Sequence, residues 1–477
     1  MIKAALNAVL RATGYGFNIL DSSRNRRRLH VGRLKSDDKA LAGMKRSQLM
    51  AICRDIDRNF AVAAWMVRRH LDFVADFNFN CREKDKGLRR DVEDYVRTRA
   101  KKDNFDRARR HDLGRWIRLF EARAVLDGDV FGVNLADGAL QALQAERCKQ
   151  PSPKAVRNSR YKQLDRWEYG VYTDNGLASL AYSFSAGKKD EPRIIPAGRI
   201  THHGYFREFD QTRGTSLIAS GLETLVDTYE VVDYGVAKAK VSQLFALKIT
   251  RTGDDAPAPI KKIEETDESE NPQQEANQDK HEIDFGGGPV FLDLEEGEDA
   301  DFMNAVADLP IELVAALIAI TLKALDIPFS MWDPNAGNFH SARAQMLVYL
   351  RACKEKRAAI RTILSDWYEW QIQRAFAYGD LLRPSGIELP KYLWQPTGTP
   401  WWNPSQEVTA QTKAIDAGLN SRQRVVAETL GIDWFDLVEE LQIEKEALET
   451  AGLATNATKP TAGPGNFSRR YAESLAT

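Results

Sequence analysis

Residues 214–249 read GTSLIASGLETLVDTYEVVDYGVAKAKVSQLFALKI, and their apolar side chains recur with a helical period. Successive members of the apolar stripe lie four, three, four, three and four residues apart, which is a heptad pattern. The stretch contains no proline, so it predicts one helix about 50 Å long at ~1.5 Å per residue. A helix of that length needs partners for its stripe. The stripe consists of Ile218, Leu222, Leu225, Tyr229, Val232 and Val236.

A second helix is predicted from Asp308 to Leu325, after an acidic and unpatterned insertion of roughly sixty residues. Within the insertion, the segment from Gly288 to Leu292 predicts a strand. Together the two helices predict a hairpin with a large insertion at its tip. The same pattern also fits two core helices of an ordinary all-α domain joined by a loop.

Length and cysteine spacing bound the class of protein. A chain of 477 residues can bury a core large enough to be stable without disulfides or metals. Its cysteines lie tens of residues apart without a CxxC pair, which predicts reduced thiols of a cytosolic protein. The apolar run at the N-terminus is too short for a signal peptide, and Leu313–Leu322 is about half a membrane span, which favours a buried helix. The cysteines are Cys53, Cys81, Cys148 and Cys353.

Charge is segregated along the chain although the formal net charge is −1. Residues 24–118 carry roughly twice as many Lys and Arg as Asp and Glu, whereas residues 254–301 are strongly acidic. A basic region of this kind can bind nucleic acid, but solvated helix faces produce the same count.

The remaining periodicity predicts an α+β domain, then a loop and further helices. Residues 1–45 have little pattern and predict an extended arm. Helices are predicted at 47–73, 88–102 and 112–127, and strands at 130–133, 167–172 and 178–184. A loop with two prolines, residues 327–340, precedes a long helix from Ser341 to about Tyr378. Two more helices are predicted at 404–417 and 421–448, with a tail from 454.

Two polar motifs are candidates for catalysis or metal binding. Asp127-Gly128-Asp129 could be a carboxylate pair and His202-His203 a metal or acid–base site, but neither has a third partner at a recognisable spacing. The aspartates are therefore interpreted as a turn and the histidines as structural. No GxxxxGK[ST], HExxH or GxSxG motif occurs, so a nucleotide-driven motor or a common hydrolase finds no support. No catalytic residue, cofactor or metal ligand is predicted.

Short motifs spread over most of the chain resemble the phage portal proteins of the lambda family. Arg54-Asp55 with Arg58-Asn59 is similar to an early helix of that family, and the segment from Gln211 to Ser216 to the lead into its first long helix. Leu294 with Gly297 resembles the turn before the second long helix. Asn338-Phe-His-Ser-Ala-Arg343 is similar to the family signature Asn-Tyr-Ser-Ser-Ala-Arg, from which it departs at Phe339 and His340. Residues 418–421 and 428–433 resemble its closing helices.

The resemblance implies a multidomain α+β portal fold that assembles as a ring, commonly of about twelve subunits, with DNA passing through its axis. It implies an arm at 1–45, an α/β wing at 46–214, stem helices at 215–249 and 308–327, and a clip with an acidic loop at 250–307. A tunnel loop follows at 328–340, a long wing helix at 341–380, a helical crown at 381–453 and a flexible tail at 454–477.

Site residues follow from the same resemblance. The tunnel loop is expected to meet DNA through Trp332, Asn335, Asn338 and His340. The stem is expected to join subunits through Leu222, Leu225, Tyr229 and Val232. The clip is expected to bind partners through Phe291, Glu295 and Glu296.

The implied function is a non-enzymatic conduit at one capsid vertex for DNA packaging and ejection. The implied partners are further copies of the chain, the terminase large subunit, head-completion or adaptor proteins, the major capsid and scaffolding proteins and double-stranded DNA, with no membrane. The ring would be assembled in the host cytoplasm and would remain in the virion. Two other hypotheses stay open at this point: a DNA-processing enzyme or its regulatory subunit, and a cytosolic scaffold whose acidic loop binds basic partners.

Overall fold

The computed structural model describes residues 36–175, 177–185, 192–244, 247–251, 298–302, 311–335, 337–398 and 403–452. The chain divides into two compact units. The first consists of Met1–Glu223 together with Ala319–Thr477, and the second of Thr224–Ile318.

The first described helices are α1 (Asp37–Ala40), α2 (Lys45–Asn59) and α3 (Ala61–Val74). The prediction of one helix over 47–73 is wrong, because the backbone at Phe60 is extended, with φ −111° and ψ 108°. The predicted arm is also wrong for its last residues, since α1 is helical and Leu41 is only 1% exposed.

Next come β1 (Phe77–Cys81), α4 (Lys86–Arg99), α5 (Lys102–Phe105) and α6 (Leu113–Asp127). The prediction of a helix at 112–127 is confirmed. It begins there because the Asp112 side chain accepts a hydrogen bond from the backbone N–H of Arg115, which caps the first turn. Leu119 of this helix is exposed.

Two antiparallel sheets follow. The strands predicted at 130–133 and 178–184 are confirmed. The strand predicted at 167–172 is wrong as one element, because positive φ angles at Tyr169 and Gly170 divide it into two short strands. The elements of this region are β2 (Asp129–Asn134), β3 (Leu140–Gln144), α7 (Pro153–Arg157), β4 (Trp167–Glu168), β5 (Val171–Thr173), β6 (Ser179–Phe184), β7 (Arg193–Pro196) and β8 (Ile200–Gly204). The strand orders are β3-β2-β8 and β4-β5-β6-β7. Phe131 and Leu143 of the first sheet share a buried core with Val171 and Phe184 of the second.

The long helix predicted for residues 214–249 is shorter and differs at both ends. A 3₁₀ turn at Leu217–Gly221 leads into α8 (Leu222–Leu244), which is followed by the strand β9 (Leu247–Arg251). This strand pairs antiparallel with β10 (Glu298–Phe302), and α9 (Ile311–Leu322) follows. The prediction of a helix continuing to 249 is therefore wrong. The strand predicted at 288–292 lies outside the described residues.

The chain then forms α10 (Phe329–Trp332), α11 (Phe339–Tyr378), β11 (Tyr392–Pro396), α12 (Pro404–Asp416), α13 (Arg422–Thr429) and α14 (Trp434–Thr450). The single helix predicted at 421–448 is broken between α13 and α14, where Gly431 has φ +71°. Strand β11 returns to pair antiparallel with β1. All four cysteines are buried and none forms a disulfide.

Candidate functional site

The loop that joins the 3₁₀ turn Lys323–Leu325 to α11 has defined local structure. Its first part is α10, and the Trp332 ring meets the edge of the Trp65 ring on α3 at a centroid distance of 5.5 Å. The Asp333 carboxylate accepts a hydrogen bond from the Asn335 backbone N–H at 2.9 Å. Two prolines, Pro328 and Pro334, further reduce its freedom. The loop is therefore fixed at the end of α10 by the contact with Trp65 and, directly after it, by the hydrogen bond at Asp333.

The last residues predicted for this loop belong to helix α11. Asn338 is its N-cap, with its Oδ1 accepting from the Ser341 N–H at 2.8 Å, so Phe339 and His340 lie in the first turn. The predicted start of the helix at Ser341 is two residues too late. Asn335 and His340 are exposed. No Lys or Arg occurs from Pro328 to His340, and Asp333 is the one acidic residue in that range.

The predicted stem residues fall into two groups. Leu222 is fully buried and Leu225 is 2% exposed, whereas the Tyr229 side chain is 50% exposed and Val232 is partly exposed. Leu222 and Leu225 are therefore already covered within one chain. The expectation that the stem joins subunits stays a prediction. The predicted partner-binding residues Phe291, Glu295 and Glu296 lie outside the described residues.

A buried ion pair fixes the segment just before the first long helix. Arg213, 2% exposed, donates from Nε and Nη2 to the Asp129 carboxylate at 2.6 and 3.0 Å. Its remaining N–H groups reach the backbone carbonyls of Ala145, Cys148 and Tyr169. Burial alone would raise the pKa of Asp129, but the charge of Arg213 and a hydrogen bond with His202 outweigh it, and the pKa lies well below the usual value.

Two glycines allow the backbone at the end of α6 to contact the backbone just before α8, next to this ion pair. Gly128, with φ +98°, ends α6, and a Cβ there would lie 2.6 Å from the carbonyl oxygen of Gly214. A Cβ on Gly214 would lie 2.0 Å from the carbonyl oxygen of Gly128. Only glycine fits at either position, so Asp127-Gly128-Asp129 serves as a helix end and an anchor.

A second buried cluster centres on Glu121 of α6. Its two carboxylate oxygens lie 2.6 Å from Nε2 of His70 and 2.6 Å from Nε2 of His203, and the Tyr205 hydroxyl donates to the same carboxylate. Burial would raise the pKa of Glu121, but the hydrogen bonds of His203 and His70 lower it well below its ordinary value. The cluster ties α3, α6 and the end of β8 together.

The segment before α2 is tied to the same region. Asp38 accepts from Arg46 at 2.7 Å and from the backbone N–H of Thr212 at 2.6 Å, while Arg46 also donates to the carbonyl oxygen of Gly214. Sequence reasoning missed these partners because they lie far apart in the chain. A signal was present, however: the segment from Gln211 to Ser216 and the motif Asp127-Gly128-Asp129 were both singled out, and they contact each other through Arg213 and Asp129.

Within the part of the chain that the structure describes, no three His, Cys, Asp or Glu side chains form a group suited to a metal ion. Among the same residues, no helix combines the length and the apolar character needed to cross a bilayer.

Comparison with known proteins identifies the family. The model of the lambda family of phage portal proteins matches residues 24–357, well over half of the chain. No curated protein matches the chain. A solved structure described as the virion of a native gene transfer agent particle is 14% identical, with a TM-score of 0.43, and the match covers 80% of this chain and 98% of that one. The neck of an empty particle of that agent, computed with C6 symmetry, is 14% identical with a TM-score of 0.45 over 79% and 93% of the two chains.

A third solved structure, the neck of the native particle computed with C12 symmetry, is 15% identical, with a TM-score of 0.42 over 81% of this chain and 99% of that one. These likenesses are too distant to support an argument, so the assignment rests on the sequence family. From its match over residues 24–357, the chain belongs to the lambda family of phage portal proteins.

Proposed function

We propose that copies of this chain form a closed ring of about twelve subunits at one vertex of a phage-type capsid, and that double-stranded DNA passes through the ring axis. The observation that carries the proposal is the family match over residues 24–357. The ring is assembled in the host cytoplasm and remains in the virion. It performs no catalysis, and the motor that moves the DNA is a separate protein, the terminase.

The loop at 328–340 lines the narrow part of the channel in this proposal. Its Asx turn at Asp333 and the contact of Trp332 with Trp65 give it a set conformation. A channel in which DNA slides must not bind phosphates tightly, and each Lys or Arg on a phosphate adds salt-dependent affinity. A loop free of both residue types meets this requirement. Trp332, Asn335 and His340 are its DNA-facing candidates, whereas the Asn338 side chain is already engaged as a helix cap.

Neighbouring subunits meet along α8 in this proposal. Because Leu222 and Leu225 are buried within the chain, the contact falls to Tyr229 and Val232 further along the helix. A ring of identical subunits uses heterologous interfaces, in which two different surfaces of the subunit meet. Exposed side chains on one long helix suit such an interface.

The clip at 250–307 is the proposed docking site for the terminase large subunit during packaging and for head-completion or adaptor proteins afterwards. Its candidate contacts are Phe291, Glu295 and Glu296, and its acidic composition favours basic partner surfaces. The wing and crown are the parts proposed to face the major capsid and scaffolding proteins.

Native mass spectrometry and negative-stain microscopy of the purified chain test the proposal. We expect rings with a central hole. Val232→Asp should reduce ring formation, because an unpaired charge in an interface costs several kcal/mol. Val232→Ile, which keeps the side chain apolar and close in size, should leave rings intact. A chain that stays monomeric at all salt and protein concentrations would overturn the proposal.

A further inference from the structure

A groove of about 600 Å³ lies where the first half of α11 meets β11, α12 and α13. All of these elements belong to the first compact unit. The groove has an apolar floor that includes Met346, Leu350 and Leu393. Leu347 also lines it and is 59% exposed. The monomer therefore leaves a sizeable apolar recess open beside the long helix.

Two buried side chains in the groove have unused hydrogen-bonding atoms. Trp394 and Gln395 are 3% and 4% exposed, and both line the groove. The Gln395 Nε2 donates to the carbonyl oxygens of Ala427 and Ile432, but within the described residues its Oε1 has no hydrogen-bond partner, and neither has Nε1 of Trp394. Both atoms are inaccessible to solvent, so they do not distinguish between possible occupants of the groove.

The groove also contains cations that lack carboxylate partners. Arg343 pairs with Glu407 at 3.0 Å. In contrast, Arg357 and Arg361 form no ion pair within the described part of the chain, and their Nε atoms donate to the backbone carbonyls of Phe73 and Trp394. Burial lowers the pKa of Arg357, because its charged form loses water. The groove therefore suits an occupant that is apolar on one side and acidic.

The helix α14 has that chemistry. None of its 17 residues is buried in the monomer. Val438 and Leu441 are 41% and 49% exposed, and with Leu448 they lie on one side of the helix by their spacing of three and seven residues. Lys445 lies on the same side, seven residues after Val438. Asp436 pairs with Arg89 of the same chain. The other acidic residues still outnumber Lys445, the helix's one basic residue: Glu439, Glu440, Glu444, Glu446 and Glu449.

We propose that the groove of one subunit receives α14 of a neighbouring copy in the ring. This inference rests on the proposed ring. The side of α14 with Val438, Leu441 and Leu448 covers the groove floor, while Glu444 and Glu449, which flank that side, face Arg357 and Arg361. The contact is heterologous, since one subunit supplies the helix and the next supplies the groove. When it is repeated around the ring axis, every helix and every groove is occupied.

Cysteine cross-linking in assembled rings tests the contact. The full-length double variant Leu347→Cys/Leu441→Cys is treated with a short bis-maleimide and analysed on a denaturing gel. Covalent ladders of dimers and higher species are expected, because each subunit would be joined to the next. The four native cysteines are buried, which keeps their background reaction low. Each single variant should give no ladder.

A matched control keeps the donor helix and moves the acceptor. Leu382, 90% exposed, does not line the groove, so Leu382→Cys/Leu441→Cys should give no ladder. In the cross-linking variant, Arg361→Glu should lower the yield severalfold through charge repulsion, whereas Lys354→Glu, on the same helix but outside the groove, should leave it unchanged.

The outcomes separate this contact from the proposed function. Rings that assemble normally but give no ladder would overturn the contact and leave the ring standing. Ladders from the Leu382 control as strong as those from the groove variant would also overturn it, because the reaction would not be specific. The absence of rings under every condition would overturn the proposed function and this inference with it.

Discussion

Replacing Asp129 by Asn tests whether the buried ion pair holds the junction before α8. The carboxylate accepts from Nε and Nη2 of Arg213 at 2.6 and 3.0 Å and from the backbone N–H of Gly214 at 3.0 Å. Asn keeps the shape, but it removes the negative charge and turns one acceptor into a donor that faces other donors. Arg213 would then be a buried cation without a counter-ion.

Breaking a buried pair in this way costs about 3–5 kcal/mol, which lowers the folding equilibrium constant by roughly two to four orders of magnitude. The matched control is Asp94→Asn. Asp94 pairs with Arg97 at 2.9 Å on the surface, where its side chain is 62% exposed, so its loss should cost no more than about 0.5 kcal/mol.

The free energies of unfolding are compared by urea denaturation, followed by tryptophan fluorescence at one fixed protein concentration, because assembly would couple to folding. The double variant Asp129→Asn/Arg213→Met should lose less than the sum of its two single variants, since both charges are then removed together. If Asp129→Asn is as stable as Asp94→Asn, the ion pair does not hold this junction and the reasoning is wrong.

Three further predictions concern the loop at 328–340, the N-cap of α11 and the stability of the protein at low pH. Asn335→Lys in every subunit should slow DNA packaging, and more strongly at low salt, because a Lys that reaches DNA adds salt-dependent affinity for phosphate. The control Ala344→Lys, one turn inside α11, should not slow it. Equal packaging rates for the two variants would contradict the placement of the loop in the channel. Asn338→Ala should cost about 1 kcal/mol through loss of the helix cap, measured by denaturation. Asp129 and Glu121 have lowered pKa values in the folded protein, so their ionised forms contribute stability above about pH 4–5 that is lost as the pH falls. A free energy of unfolding that stays constant from pH 6 to 3 would contradict this prediction.

The sequence predicted well those helices whose apolar period and capping residue lie within one short window. Helix α6 was found almost to the residue, because its period and its capping Asp112 both lie within one short window. Helix α8 was extended too far for the same reason. The sequence has no proline or glycine between Leu244 and Ile249 to mark the end of the helix. Strand β9 forms there only by pairing with residues 298–302, which no local window contains.

The buried clusters could not be predicted from spacing. Arg213 lies 84 residues from Asp129, and His203 lies 82 residues from Glu121. Their encounter depends on how α6, β2 and β8 pack, and the sequence alone does not state that geometry. For the same reason, the sequence could identify the loop at 328–340 and its lack of cations, but not that Asn338 is committed to the start of α11.

The pairing of β1 with β11 has a consequence for synthesis. The register joins Phe77 to Pro396, so β1 leaves the ribosome long before its partner does. At ~5–20 residues per second, the interval of roughly 310 residues corresponds to about 15–60 s. During that time β1 presents a free strand edge, which is a template for pairing with the wrong chain. Fragments that stop short of Tyr392 are therefore expected to aggregate, although they contain every residue of the two large sheets, and high yields should require translation that runs without long pauses through β11.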